Sequence, residues 1–159
     1  MYIIALKVLS ILGVIYMLGY TIWNIVKNKK MLQSLSSTAY IVKHDWVFTL
    51  SMCIAGFSIA PYMITLLPGL WGFVAMLFLI GLILVGCSPH YRTVYEFMHN
   101  LGGYLAGIMT QIAVGYWYWP LLLCWIPFLL WCIFFKSPNK TFYAEALCFI
   151  TLGICLIIF

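Results

Sequence analysis

Six long apolar runs, separated by short polar or proline-containing breaks, follow one another along the 159-residue chain. A membrane-crossing helix needs about 20 mostly apolar residues, and each run comes near that length. Continuous apolarity is typical of such helices, whereas the strands of a membrane barrel alternate in polarity. We therefore predict an all-α fold, a polytopic transmembrane bundle of about six helices in a single domain over residues 1–159. The predicted helices run from Tyr2 to Val26, Trp46 to Leu67, Leu70 to Cys87, Tyr95 to Val114, Trp119 to Phe135 and Phe142 to Phe159.

The composition gives the same answer. Hydrophobic residues make up 66% of the chain and charged residues only 7%, against roughly 25% charged residues in soluble domains. The six cysteines form no CxxC pair and lie in or beside apolar runs, which favours small buried hydrophobic side chains. The net charge of +5 comes without a basic stripe, so we expect membrane lipid, and no nucleic acid, as a partner.

The basic residues predict an orientation. The first, third and fifth connections hold Lys or Arg, and the second and fourth hold none. Cytoplasmic loops carry the surplus of Lys and Arg, so both termini are expected on the non-cytoplasmic side. The first apolar run lacks a small-x-small cleavage pattern, and we expect it to be a retained helix. In the long first connection, Met31 to Val42 is predicted to form a short helix on the membrane surface.

The ionisable residues collect at one predicted end of the bundle. All three histidines and all three acids fall at helix ends on the side of the odd connections, together with Ser88. Histidines with carboxylates are the ligand set of a zinc site, so His44, His90 and His99 are candidate metal ligands and zinc the candidate metal. Solvation at the interface, helix capping, a proton relay and an anion-binding cap are the alternatives, and without the zinc site no cofactor is expected. The candidate polar cluster comprises His44, Asp45, Ser88, His90, His99 and Glu145.

Two members of this cluster, His99 and Glu145, lie about one turn inside apolar helices, where an ionisable residue is normally paired or functional. We predict that both face the bundle interior and approach within direct or water-bridged hydrogen-bonding range, in a pocket shared with Asn100. Gln111 is expected to hydrogen-bond between helices. Gly103 and Gly107 form a GxxxG spacing, which predicts close helix approach within the bundle or between subunits.

Four short motifs carry a resemblance to known families. They are Ser34-Leu-Ser-Ser-Thr-Ala-Tyr40, Val85-Gly-Cys-Ser-Pro89, Glu96-Phe-Met-His99 and Phe142-Tyr-Ala-Glu145. Together they resemble a family of uncharacterised small bacterial six-helix membrane proteins, which implies a bacterial inner-membrane protein. The second and third are also distantly similar to the superfamily of alkaline ceramidases and adiponectin-type receptors. That likeness implies a seven-helix zinc hydrolase, whereas this chain has one predicted helix fewer and no HxxxH pair on its last helix.

Three functions of different classes follow from the sequence. The leading interpretation is a small integral membrane protein that binds a lipid or a partner, or serves as a subunit of a membrane complex or homo-oligomer. The second is a zinc-dependent intramembrane hydrolase acting on lipid amides, in which zinc activates water. The third is a small transporter or channel with His99 and Glu145 on the ion path. Bound metal would identify the second function and flux in liposomes the third, and no catalytic residue is assigned from the sequence.

Overall fold

The computed structural model describes residues 2–29, 31–40, 44–90 and 95–159. All regular structure in these residues is helical, and five stretches are long and apolar enough to cross a membrane, the fourth running through α4 and α5. The chain is therefore an all-α integral membrane protein, as predicted. Its α-helices are α1 Tyr2–Asn28, α2 Asp45–Leu66, α3 Gly72–Cys87, α4 Tyr95–Tyr118, α5 Trp125–Phe134 and α6 Lys140–Ile158.

The helices end where the sequence breaks predict. α1 ends at Asn28, in the basic cluster, and Lys29 follows with a left-handed φ of 51°. Between α2 and α3 the chain reverses at Pro68-Gly69, where φ of Gly69 is 55°. A residue without a Cβ adopts this conformation at little cost, which makes a tight turn feasible there.

The fifth predicted helix, Trp119 to Phe135, is not one continuous α-helix. Tyr118 leaves the helical conformation at φ −154° and ψ 76°, a six-residue 3₁₀ helix follows over Trp119–Cys124, and α5 has ten residues. Pro120 and Pro127 each remove a backbone donor, so each is accommodated near the start of a separate helix. Rises of about 2.0 Å for 3₁₀ and 1.5 Å for α give the two pieces a combined length of roughly 27 Å. That is close to the thickness of a bilayer core, about 30 Å.

Consecutive helices pack antiparallel. The Tyr16 and Ser51 hydroxyls, 2.9 Å apart, join α1 to α2, and Thr49 Oγ1 donates to the Gly86 carbonyl at 2.7 Å to join α2 to α3. The Lys140 ammonium donates to the Cys132 carbonyl and ties α5 to the start of α6. α6 packs against both α1 and α4. The start of α1 and the end of α6 consequently lie at one end of the bundle. The other end, which we call the loop end, holds segment 31–40 and the first turns of α2, α4 and α6.

Burial separates a packed interior from a lipid-facing surface. Phe48, Ile59 and Met63 make α2 the most enclosed helix. Large apolar side chains point outward, with Trp23 66% and Ile133 75% exposed. Contiguous apolar surface of this extent is uncommon on a soluble monomer and natural in contact with acyl chains.

Segment 31–40 is packed into the bundle, so the predicted surface helix is wrong for the residues described. Leu32, Leu35 and Ala39 are buried, and the segment forms a 3₁₀ helix over Ser36–Tyr40. The Phe142 amide donates to the Gln33 carbonyl at 2.9 Å and fixes the segment to α6. Ile41 and Val42, the last residues of the predicted surface helix, lie outside the described residues, as do Lys30, Lys43 and Arg92, on which the predicted orientation partly rests.

Candidate functional site

Glu145 is the centre of the polar arrangement at the loop end. It lies in the second turn of α6 and is half-buried. Its carboxylate accepts the Leu35 backbone N–H at 2.5 Å, and its Oε1 lies 3.4 Å from the Ser36 hydroxyl oxygen. A buried segment must find acceptors for its backbone donors, because no water reaches them. The carboxylate supplies one, and it thereby holds segment 31–40 against α6.

His99 joins the same arrangement from α4. Its Nε2 lies 2.8 Å from Ser36 Oγ, and its Nδ1 lies 3.0 Å from Ser88 Oγ. The side chains of Ser88, His99, Ser36 and Glu145 therefore form one chain of polar contacts across four parts of the bundle, the end of α3, α4, segment 31–40 and α6, which we call the serine–histidine network. His99 and Glu145 each lie beside the Ser36 hydroxyl, and the predicted direct or water-bridged hydrogen bond between them stays a prediction.

The network fixes the tautomer of a neutral His99. Ser88 Oγ donates its one proton to the Val85 carbonyl at 2.7 Å. It can then only accept from His99, so Nδ1 carries the imidazole proton. Nε2 is left with a lone pair, and the Ser36 hydroxyl donates to it.

The other predicted cluster members lie apart from this network. His44 precedes α2 and is exposed, with its ring centroid 6.5 Å from that of Trp46. Asp45 is exposed in the first turn of α2. His90 is exposed, and its Nε2 lies 3.0 Å from the Thr49 hydroxyl. Of the six candidates, the structure thus brings together Ser88, His99 and Glu145 only.

The predicted zinc site finds no counterpart in the part of the chain that the structure describes. There, no three His, Cys, Asp or Glu side chains are grouped closely enough to hold a metal ion. His99 is hydrogen-bonded to serines at both ring nitrogens, whereas His90 bonds a threonine on α2. The zinc hypothesis stays a prediction.

A cavity of about 780 Å³ opens beside the network, between α4 and α6. At the loop end its wall is polar, and from there it continues along α4 past Gly103 and Gly107 toward Trp125. Its remaining wall is mostly apolar. The polar residues that line it are Ser34, Ser36, His99, Asn100, Thr110, Gln111, Thr141 and Glu145.

The glycines of α4 fall into two groups with different roles. A Cβ on Gly102 would lie 2.7 Å from the Gly81 carbonyl oxygen, so α3 and α4 touch backbone to backbone there. A Cβ on Gly103 would meet nothing within 4 Å, and one on Gly107 only the Cys148 sulfur at 3.9 Å. The predicted close approach through Gly103 and Gly107 is therefore wrong within the bundle, since their missing side chains leave room for the cavity. Close approach is made one position away, at Gly102.

A second polar contact lies deeper along the cavity. Gln111 donates from Nε2 to the Thr151 hydroxyl at 3.2 Å, and its Oε1 accepts the Trp125 indole N–H at 2.8 Å. Gln111 thus links α4 to α5 and α6, which confirms the predicted interhelical hydrogen bonding. Sequence reasoning missed Trp125 and Thr151, because nothing local distinguishes them from other residues in apolar helices. It also missed Ser36, whose only signal is its polar neighbourhood in segment 31–40.

Comparisons with models of protein families, with curated proteins and with solved structures find no match. The resemblance to bacterial six-helix membrane proteins stays a hypothesis carried by its four motifs. The proposed function therefore rests on the geometry of the cavity and of the serine–histidine network.

Proposed function

We propose that the protein binds a single-chain lipid in the cavity between α4 and α6, with the head group at the serine–histidine network. The observation that carries this proposal is the cavity itself, about 780 Å³ in volume, with the side chains of the serine–histidine network at one end and a mostly apolar wall beyond them. Small-molecule sites have volumes of about 300–1,000 Å³ and combine apolar walls with a few convergent polar groups. An amphipathic molecule matches such a gradient along its length.

The volume indicates one acyl chain. At roughly 30 Å³ for each group the size of a water molecule, the cavity accommodates about 25 non-hydrogen atoms. That is enough for one chain of ordinary length with a small head group, and too little for a phospholipid with two such chains. The chain would lie beside Gly103 and Gly107, where the helix surface is flat.

The charges of the lining indicate a neutral or cationic head group. Glu145 is the one formally charged side chain among the described residues that line the cavity, and neither Lys nor Arg is among them. A phosphate or carboxylate brought there would be desolvated close to an acid, with no Lys or Arg among the described lining residues to compensate its charge. Hydroxyl or ammonium donors, in contrast, find acceptors in Glu145, Asn100 and the serine hydroxyls.

A cavity-filling substitution tests this binding. Gly103→Leu places a side chain in the open space of the cavity and should remove the lipid. Gly19→Leu is the matched control, because a Cβ on this exposed glycine of α1 also meets nothing within 4 Å and Gly19 is not part of the cavity. Native mass spectrometry of the purified proteins should show one retained lipid per chain in the wild type and in Gly19→Leu, and none in Gly103→Leu. Equal lipid content in all three would contradict the proposal.

For the cellular setting, we propose a bacterial inner membrane with the loop end in the cytoplasm. The charge rule for cytoplasmic loops supports this orientation, and the resemblance to small bacterial membrane proteins supports the location. Its test is a variant in which Ala replaces the six native cysteines and one new cysteine replaces either Asn28 or Phe159. In intact cells, a membrane-impermeant thiol reagent should label the cysteine at Phe159 and not the one at Asn28. The reverse pattern would refute this orientation, and labelling of both would refute the six-crossing topology.

A further inference from the structure

Ser36 has the surroundings of an activated nucleophile. Its hydroxyl lies 2.8 Å from His99 Nε2, and it is buried at the edge of the cavity. Nucleophilic serines in enzymes have this arrangement, in which a base within hydrogen-bonding reach is itself oriented by a third group. Here the third group is Ser88, which accepts the Nδ1 proton of a neutral His99, so that Nε2 can accept from Ser36.

We propose that the protein is an acyltransferase or hydrolase that acts on neutral single-chain lipid esters, with Ser36 as the nucleophile and His99 as the general base. This activity goes beyond lipid binding and rests on the proposed occupancy of the cavity. The class of substrate follows from the lining, which offers apolar surface for a chain and no Lys or Arg for an anionic head group among its described residues. A monoacylglycerol is the simplest ester with these properties.

The chemistry needs only water or an alcohol besides the ester. Ser36 Oγ attacks the carbonyl carbon while its proton passes to His99 Nε2, and an Oγ–C bond forms. The ester C–O bond then breaks, and the leaving alcohol takes the proton from His99. Water, deprotonated by the same nitrogen, attacks the acyl group on Ser36, releases the fatty acid and restores the hydroxyl. A second alcohol in place of water gives transfer instead of hydrolysis.

Glu145 stabilises the positive charge that develops on His99 when this base takes up the proton. Its Oε1 lies 3.4 Å from Ser36 Oγ, farther than His99 Nε2 at 2.8 Å, so the hydroxyl proton of Ser36 is directed to the histidine. Once His99 is protonated, its Nε2–H points toward Ser36 Oγ and the carboxylate beyond it. A negative charge at that place stabilises an imidazolium in surroundings of low dielectric constant. Ser88, which acts only through His99, is a positioning residue.

An alkyl fluorophosphonate tests the nucleophile directly. Attack by Ser36 forms an Oγ–P bond and expels fluoride, and the serine proton leaves through His99, so the probe needs the same two groups as the ester. Intact mass spectrometry of the wild type in detergent should show one adduct, which peptide mapping should place on Ser36. Ser36→Ala should give none. Ser37→Ala is the matched control and should label like the wild type, because the Ser37 hydroxyl donates to the Ser34 carbonyl at 2.7 Å and not to a histidine.

Three further variants separate chemistry from structure. His99→Gln should slow labelling by about 100-fold or more, the usual contribution of a general base. Ser88→Ala should slow it as well, and Ser88→Thr, which keeps the hydroxyl, should restore it. Thermal unfolding identifies any variant that is destabilised. The labelling of each variant is then compared with that of the wild type at a temperature at which both are folded. Release of fatty acid from a monoacylglycerol by the wild type, and not by Ser36→Ala, is the expected result with substrate.

Several results would overturn the proposal. They are the absence of an adduct on Ser36, unchanged labelling in His99→Gln, failure of Ser88→Thr to restore what Ser88→Ala loses, and labelling by a protein that transfers the acyl group of a monoacylglycerol neither to water nor to an added alcohol. If any of these results is obtained while the wild type retains a lipid, lipid binding stands and the catalytic role of Ser36 is refuted. If Gly103→Leu retains the lipid, the proposed binding site falls instead.

Discussion

At the scale of single residues, the carboxylate of Glu145 stabilises the loop end through hydrogen bonding and, among the described residues, forms no ion pair. It accepts the Leu35 N–H, and its Oε1 lies 3.4 Å from the Ser36 hydroxyl. Both groups belong to a segment that is largely withdrawn from solvent. The helix that carries Glu145 and the segment that it holds are more than one hundred residues apart in sequence. One side chain therefore closes a long-range contact on which the loop end of the cavity depends.

Replacing Glu145 should accordingly destabilise the protein. Glu145→Ala leaves the Leu35 backbone N–H without its acceptor, and the expected loss is about 1–3 kcal/mol in the free energy of unfolding, the usual cost of an orphaned buried polar group. Glu96→Ala is the control, since Glu96 is exposed in the first turn of α4. Thermal unfolding in detergent compares the two variants. Equal and negligible losses would mean that the bonds of Glu145 contribute little and that segment 31–40 is held by its apolar contacts.

The sequence could predict His99 and Glu145, and it could not predict Ser36. An ionisable side chain in an apolar helix is conspicuous, because the membrane makes its burial costly. A serine in a polar connection is ordinary, and its role emerges only when the connection folds into the bundle. His44, Asp45 and His90 show the converse, since a shared end of the bundle does not bring side chains into contact.

At the scale of elements, the continuous apolar runs predicted which segments are long and apolar enough to cross a membrane. They did not predict whether each segment forms a single α-helix. Five apolar runs became single α-helices, whereas the run from Trp119 to Phe135 became a 3₁₀ helix followed by α5. Its two prolines were visible in the sequence. Whether such residues kink a helix or divide it depends on neighbours such as Gln111, which bonds the Trp125 indole.

Two elements show how tertiary packing overrides a local pattern. Segment 31–40 carries the loose polar and apolar alternation of a surface helix, yet Leu32, Leu35 and Ala39 are buried in the bundle. The GxxxG spacing at Gly103 and Gly107 suggests close packing, yet the neighbouring Gly102 makes the tight contact with α3. Because glycine has no Cβ, a glycine in a helix can allow close contact with a neighbouring helix or leave space for a cavity. The sequence alone does not distinguish these two roles.

At the scale of the whole molecule, the bundle is tight on one side and open on the other. α1, α2 and α3 pack closely through their buried faces, with Val74, Ala75 and Phe78 of α3 among the enclosed residues. α4 and α6 instead diverge around the cavity, joined at the loop end by the serine–histidine network and farther along by Gln111 and Thr151. This asymmetry leaves the cavity between α4 and α6, where we propose that the lipid binds.

The most direct test of the account is to locate a bound lipid by cross-linking. A monoacylglycerol analogue with a photoreactive diazirine in the middle of its chain would be added to the purified protein, irradiated and mapped by mass spectrometry of peptides. We expect adducts on the cavity walls, around Gly107 of α4 and Cys148 of α6, and their loss in the presence of excess unlabelled monoacylglycerol. Adducts confined to outward-facing residues such as Ile15 and Ile22 of α1, or insensitive to the competitor, would contradict the proposal that this cavity is a lipid-binding site.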